Sequence, residues 1–388
     1  MDLKAIQAAL HERNIDAWLF YDHHHRDPIA YKVLGIPESL MVSRRWFYVI
    51  PREGEPVKLV NRVEVRHLDS LPGSKRQYSS WRELWDNLQA MLVRYRTVAM
   101  QYSPNNVIPY IGLVDAGTVE LVRSFGKEIV SSGDLVARFE AAWTEEQIAS
   151  HFAARDAIDA IVPEAFKEVG RRARNGHVTE YEIQQWIAEA FRREEIVTED
   201  LPIVAVNGNS GNPHYEPRAE GSAPIKPGDF VLLDIWGKKN TPGAVYYDIT
   251  WTGVIGTPTD RQMEIFNIVS GARDAGVKKV QEAYAGKRRI AGWEVDQATR
   301  DSISNAGFGQ YFTHRTGHSI GQSVHGNGAN MDNLETKDDR EIIPNTCFSI
   351  EPGIYLPGEF GVRSEVNVLT REGSAEVTGK IQDELVLI

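Results

Sequence analysis

Four carboxylates stand in stretches that offer them little water. Asp234 closes the apolar run in "FVLLDIWG", and Asp248 lies in "AVYYDITWTG" among aromatic and β-branched neighbours. Glu351 ends the strand pattern of "TCFSIEPGIY", and Glu365 falls inside the alternating pattern of "GVRSEVNVLT". A buried carboxylate is costly unless it is ion-paired or bound to a metal. Any one of these four, taken alone, could equally cap a turn or pair with an arginine. Four in one section, beside a histidine cluster, form an oxygen-rich site. The set is too acidic for a structural zinc, which prefers sulfur and nitrogen. It suits two divalent ions of intermediate hardness, drawn from manganese, cobalt, iron and zinc. Two such ions can share carboxylates and hold a water whose pKa falls toward neutrality.

The histidine cluster is "HRTGHSIGQSVHG", residues 314 to 326. His314 and His318 stand four apart, the spacing of a helical zinc motif. That motif needs a glutamate after its first histidine, and Arg315 is there instead. Glycines at 317, 321, 326 and 328 also disfavour a helix. A loop leading into a strand fits better, with His314 and His318 on one face. His325 lies an odd number of residues from both, so a turn must re-aim it if all three serve one site. A fourth histidine, His214 in "NGNSGNPHYEP", reads by itself as a turn residue after Pro213.

The elements that must hold these side chains fall into two sections. A chain of 388 residues exceeds one ordinary core, so two domains are expected, 1–140 and 141–388. In the first, Leu3, Ile6 and Leu10 share a helical face and "AWLFY" reads as a buried strand. "WFYVI" and "PVKLV" flank a turn as a hairpin, "RELWDNLQAMLVR" is helical and "TVAMQY" is a strand. The second section opens with capping-box patterns at Thr144/Gln147 and Thr179/Glu182, each heading a helix. Strand and glycine-rich segments follow to Ile255. Two further helices and more strands then repeat the order, which suggests an internal duplication of structure. The fold class expected is α/β (α+β).

Bulk properties narrow the function. A net charge of −11 argues against sequence-independent nucleic-acid binding. No apolar stretch approaches membrane-spanning length, and the amphipathic N-terminus does not read as a signal peptide. Cys347 is the single cysteine, read as a buried inert thiol. A soluble, cytoplasmic protein is expected.

In order and local context, Asp234, Asp248, "TGHSIGQSVH", "SIEPGIY" and "GVRSEV" resemble the M24 metallopeptidase family of methionine aminopeptidases, prolidases and Xaa-Pro aminopeptidases. The resemblance implies a pita-bread catalytic domain of two pseudo-symmetric halves. On weaker grounds, the first section resembles the smaller N-terminal α/β domain of prolidases and creatinases. It also implies roles. Asp234, Asp248, His318, Glu351 and Glu365 would be the metal ligands for two divalent ions, with Asp248 and Glu365 bridging. Glu351 would double as a proton shuttle, His325 would stabilise the tetrahedral intermediate, and His214 would contact the substrate. His314, Tyr355 and Arg363 match substrate-side positions of the proline-specific branch; a salt bridge holding the ligand strand is the plainer role for Arg363. The implied activity is metal-dependent hydrolysis of the bond before proline in a short peptide, by a homodimer and through a hydroxide held between the ions.

Departures from the family pattern bear on the substrate. The gap from Asp234 to Asp248 is longer than usual, with "KKNTPG" as the inserted turn. Trp251, Gly326 and Ser319 stand where the family commonly has arginine, glutamate and glycine. They leave open a lyase or hydrolase acting on a non-peptide molecule, or a non-catalytic binding protein. The run His23, His24 and His25 reads as a solvated loop, or as a lining for a partner subunit's pocket.

Overall fold

In a computed structural model, which describes residues 1–176 and 178–388, the chain divides into two units, Met1–Glu140 and Ala141–Ile388. The first unit is built on a six-stranded sheet. Its strands are β1 (Ala17–Asp22), β2 (Trp46–Pro51), β3 (Val57–Asn61), β4 (Ser74–Tyr78), β5 (Thr97–Met100) and β6 (Glu128–Ser131), in the order β4-β3-β2-β1-β5-β6. The run "AWLFY" is apolar at every position because both faces of β1 are covered. Trp18 and Phe20 enter one core cluster with Tyr48 and Ile50. Ala17, Leu19 and Tyr21 enter another with Phe47 and Val49. Helices α1 (Leu3–Glu12), α2 (Pro28–Leu34), α3 (Trp81–Leu92), α4 (Ala116–Ser124) and the short α5 (Gly133–Val136) complete the unit. β2 and β3 pair antiparallel, as the hairpin pattern predicts.

The loop after β1 carries the three consecutive histidines. Buried Asp22 accepts hydrogen bonds from the backbone N–H groups of His25, Arg26 and Asp27 and, at 2.6 Å, from the Tyr31 hydroxyl. His24 and His25 are exposed and take left-handed φ angles of 61° and 56°. The loop is solvated, and one carboxylate fixes its path.

The second unit repeats an order. Helices α6 (Glu145–Arg174) and α7 (Glu180–Arg193) precede strands β7 (Ile196–Val197), β8 (Ile203–Val206), β9 (Phe230–Lys239) and β10 (Tyr247–Val254). Helices α8 (Asp260–Ala285) and α9 (Gly292–Asn305) then precede β11 (Ser319–Ile320), β12 (Cys347–Ile350), β13 (Gly353–Tyr355), β14 (Gly361–Arg363), β15 (Val366–Arg371), β16 (Ser374–Val377) and β17 (Val386–Leu387). Capping boxes at Thr144 and Thr179 close as the sequence predicts, and Thr259 adds a third. One sheet runs β17-β10-β9-β7, with β8 also on β9; another runs β11-β12-β15-β16. Cys347 is buried, and burial pushes its thiol pKa up. No helix among the described residues is long and apolar enough to cross a membrane.

His151 on α6 is fully buried beneath β10. Its Nδ1–H donates to the Tyr246 carbonyl at 2.7 Å, and Nε2 accepts from the Thr378 hydroxyl at 2.8 Å. Trp143, Phe152 and Tyr247 surround the ring. Burial drives its pKa from 6.5 to about 4. The unfolded chain therefore binds the extra proton first, and acidification from pH 6.5 to 4 costs the fold about 3 kcal/mol through this group. His151→Gln should be less stable than the parent at pH 7.5 yet lose less stability between pH 6.5 and 4.5 in denaturant titrations. Equal losses would show that His151 is not the acid-sensitive group.

Candidate metal centre

Strands β9 and β10 carry the first two acids. They pair antiparallel, with Asp234 opposite Thr250 and Trp236 opposite Asp248. Alternation sends Val231, Leu233, Ile235, Tyr247 and Ile249 into the core under α6 and α7. Asp234, Trp236, Asp248 and Thr250 take the other face. Asp234 is not at a strand end, as the sequence suggests, because β9 runs on through Lys239. Glu365 is likewise not inside a strand: it sits in the link between β14 and β15, its N–H donating to the Thr250 carbonyl at 3.3 Å. Glu351 directly follows β12. Buried Asn367 accepts from the Asp248 N–H at 3.0 Å and donates to the Asp248 carbonyl at 2.7 Å, stitching β10 to β15.

The histidine stretch is no helix. His318 precedes the two-residue strand β11, and its carbonyl accepts from the Ser349 N–H at 2.9 Å. Gly317 permits this approach, since a Cβ there would lie 1.9 Å from the Ser349 carbonyl oxygen. Helix α9 holds the preceding residues. Asp296 accepts from the Thr316 N–H at 2.8 Å, and Arg300, ion-paired to Asp296, donates to the His314 carbonyl at 2.7 Å. The His318 Nδ1 lies 3.1 Å from the Ser319 carbonyl, which fixes the proton there and leaves Nε2 as a bare lone pair.

That lone pair faces acids. His318 Nε2 is 3.4 Å from Asp248 Oδ2 and 3.4 Å from Glu351 Oε1. Ligand atoms of Asp248, His318 and Glu365 all lie within 4.8 Å of one another. Asp234 is ion-paired with Arg363, whose Nε donates to Thr250 Oγ1 at 2.9 Å and stands 3.8 Å from Glu351 Oε2. Thr250 Oγ1 is 2.8 Å from Glu365 Oε2 and 3.1 Å from Asp234 Oδ1. The five expected ligands thus converge, with Arg363 as the guanidinium among them.

Electrostatics follow from this crowding. Burial raises Asp234 to about 6; the Arg363 charge pulls against it and the Asp248 charge adds to it. Burial raises Asp248 to about 7, and raises Glu351 and, more strongly, Glu365, whose carboxylate neighbours push the same way. Burial also lowers His318, keeping it neutral. One arginine cannot neutralise four carboxylates. Buried Asp248 Oδ1 and Glu365 Oε1 have no hydrogen-bond partner among the described residues. Orphaned buried oxygens beside a neutral imidazole are a donor set that fits divalent cations.

The remaining candidates flank this cluster. His314 Nδ1 donates to the Arg315 carbonyl and its Nε2 accepts from the Tyr355 hydroxyl, both at 2.7 Å; Arg363 Nη1 reaches that hydroxyl at 3.3 Å. Burial lowers His314 to about 3 and lifts Tyr355 to about 12. His325 is exposed, its ring edge-on to His318 at 4.3 Å between centroids, so the turn does re-aim it. The His318 imidazole, and then partial burial, depress its pKa. His214 is exposed on a loop near enough to His325 to repel its proton. Arg363 Nη1 approaches the adjoining Pro213 carbonyl at 3.4 Å.

Several positioning residues escaped the sequence reading. Thr250, Ser349 and Asn367 are small polar residues in apolar strands, a signal visible only once the faces are known. Ser349 Oγ accepts from the His318 N–H at 3.0 Å and donates to Glu351 at 3.1 Å. Buried Glu180 organises the His214 loop, accepting from the Val206 N–H at 2.8 Å, Asn209 Nδ2 at 3.0 Å, the Tyr215 hydroxyl at 2.5 Å and the Ala223 N–H at 3.1 Å. Trp251, expected beside the site, packs on the opposite face of β10 with the helix-side core. Ser319 and Gly326 explain each other: the Ser319 hydroxyl accepts from the Gly328 N–H at 3.0 Å, and a Cβ on Gly326 would lie 2.9 Å from it. The long β9–β10 hairpin is tied to the His325 loop, with Tyr246 N–H donating to the Gly321 carbonyl at 3.0 Å and Lys238 Nζ to the Gln322 carbonyl at 2.5 Å.

Two helix–helix–sheet halves, bringing acids from both to one buried centre, define the pita-bread class of metal-dependent scaffold. The model of metallopeptidase family M24 matches residues 152–372, and the chain belongs to that family. It is 35% identical over 182 residues to a Xaa-Pro dipeptidase of Lactobacillus helveticus, covering 47% of this chain and 45% of that protein. The chain spans about half the length of the curated relatives it matches. Its fold superposes on dipeptidase PepE from Mycobacterium ulcerans with a TM-score of 0.70 at 24% identity, covering 99% of this chain and 96% of that one. An X-prolyl aminopeptidase from Caenorhabditis elegans, described as a cytosolic enzyme with a di-nuclear active site, gives 0.68 at 17% identity over 100% of this chain and 63% of that one.

The raised carboxyls set a pH dependence. Asp234 and Asp248 hold their protons to about 6 and 7 when folded, against 3.8 otherwise. Between those values the unfolded chain binds fewer protons, so metal-stripped protein should lose stability as pH rises from 5 to 7.5. Divalent ions, which need the deprotonated forms, should reverse the slope. Melting curves in chelator and in excess manganese test this; a chelator curve that rises with pH would refute it.

Proposed function

We propose that this chain is a dinuclear-metal-dependent peptidase that cleaves the bond before proline in short peptides. The observation that carries this is the convergence of Asp234, Asp248, His318, Glu351 and Glu365, with buried Asp248 and Glu365 oxygens left without partners. Family membership and the Xaa-Pro dipeptidase relative support it. We assign Asp234 to one ion, His318 and Glu351 to the other, and Asp248 and Glu365 to both. Manganese, cobalt, iron and zinc are the candidates. When bound, the ions would supply Lewis acidity and lower the pKa of water for attack on the peptide carbonyl.

The chain's own residues do the rest. Glu351 touches both His318 and the hydroxyl of Ser349, and passes a proton to the departing nitrogen. His325 is neutral and exposed, so it can donate to the oxygen that gains charge at the scissile carbonyl. His214 on its Glu180-held loop contacts the substrate from the same side. Arg363 offsets the charge of Asp234 and keeps Tyr355 and His314 in register at the substrate flank. Residues 1–140 form a creatinase/prolidase-like domain in this reading, and the working form is a cytoplasmic homodimer.

Metal-stripped protein reconstituted with each ion should hydrolyse Xaa-Pro or Xaa-Pro-Xaa peptides and spare Met-Xaa. Glu351→Gln should lower kcat by about 10²-fold or more. His318→Ala should lose both metal uptake and activity. Full activity in metal-free His318→Ala protein, or inertness of the parent toward every peptide with every ion, would overturn the proposal.

A further inference from the structure

Trp236 shares the ligand face of β9 with Phe230, Leu232 and Asp234, and of its three large apolar side chains it is the one that is not buried. Val231, Leu233 and Ile235 turn to the helix side, whereas Trp236 shares its face with Asp234, two residues back. It stands directly opposite Asp248, a separation that puts their Cβ atoms about 5 Å apart. A pure core tryptophan would be buried like its neighbours Asp234, Ile235 and Gly237, but Trp236 is half-exposed. Its buried edge rests on a small cluster with Tyr246 and Ile320, which half-exposed Val324 also flanks. Val324 immediately precedes His325, and Lys238 on the same face as Trp236 fastens that loop through Gln322.

The two rows of the β9–β10 ladder differ in chemistry. Asp234 and Thr250 form one row, and both engage the Arg363 guanidinium. Asp248 and Trp236 form the next row, about 7 Å further along. A substrate lying along the ladder meets a cation at one end and an indole with an isopropyl group at the other. Carboxylate belongs at the cationic end and an apolar side chain at the other.

We propose that Trp236 and Val324 form the subsite for the residue on the amino side of the scissile bond and select a large apolar side chain there. This rests on the hydrolytic reading above. The test is a panel of Gly-Pro, Ala-Pro, Leu-Pro and Phe-Pro dipeptides, each also extended by one residue, with manganese-loaded protein. The parent should favour Leu and Phe over Gly by about tenfold or more in kcat/KM, chiefly through KM. Trp236→Ala should bring the ratio to within about threefold, chiefly by raising KM for the Leu and Phe peptides. Trp236→Phe should retain the preference, and Val324→Ala, on a loop, should weaken it even if Trp236→Ala does not fold. Cleavage with an unchanged ratio in Trp236→Ala, or in Val324→Ala should the former not fold, would overturn the subsite alone. An inert parent would overturn the hydrolytic reading and this subsite with it.

Discussion

Burying four carboxylates around one guanidinium is the constraint on which the second unit depends. Arg363 pairs with Asp234, leans on Thr250 and approaches Glu351, yet one positive charge cannot balance four negative ones. The protein answers by holding protons, which is why Asp234 and Asp248 titrate near neutrality. A low-dielectric pocket that keeps acids protonated at pH 7 is under tension that a divalent cation relieves. The same burial keeps His318 neutral and its Nε2 bare. Desolvation therefore acts on both ligand types in the direction that prepares them for metal.

Holding such a site requires that neither half move independently. Asp234 and Asp248 come from the first sheet of the repeat, and His318, Glu351 and Glu365 from segments after α9. Asn367 bridges them through the backbone of Asp248, so the link does not consume a ligand oxygen. Side chains with no metal role perform similar work around the rim: Ser349 between His318 and Glu351, Glu180 behind the His214 loop, and the Asp296–Arg300 pair behind His314 and Thr316. Ser349 and the Asp296–Arg300 pair fix their segments without adding net charge, and the Glu180 carboxylate is held by two backbone N–H groups, an amide and a hydroxyl.

The residues that converge were legible in the sequence because they violate local expectation: acids in apolar strands, glycines among histidines. Element types were legible for a similar reason, since capping boxes and periodic apolar faces are local signals. What could not be read was which face a strand presents. Trp251 was expected beside the site because it stands where the family commonly has arginine, and strand alternation places it on the helix side. Trp236, twelve residues before Asp248, stands across from it through hairpin register. Asp234 and Glu365 were misplaced within their elements because strand ends depend on pairing partners, which periodicity does not contain. Thr250, Ser349 and Asn367 had no distinguishing signal, for a small polar residue in a strand is unremarkable until its neighbours in space are known.

Of the departures from the family pattern, Ser319, Gly326 and the lengthened hairpin gather around the loop that carries His325, Trp251 lies on the helix side of β10, and none replaces a converging acid. Ser319 and Gly326 are two halves of one packing solution: the hydroxyl ties the turn, and the absent side chain makes room for it. The lengthened hairpin is likewise not a passive insertion, since Lys238 and Tyr246 hold the loop that ends in His325. Changes of this kind act on the loop beside the buried acids while the strands bearing Asp234 and Asp248 keep their register. Metal affinity is set by distances inside a close-packed core, which tolerate little. Selectivity is set by the loop and half-exposed side chains around that core, which tolerate more. A buried ligand geometry can therefore persist while the loop and half-exposed side chains around it change, and in this chain Trp236, Ser319, Val324 and Gly326 belong to that surrounding layer.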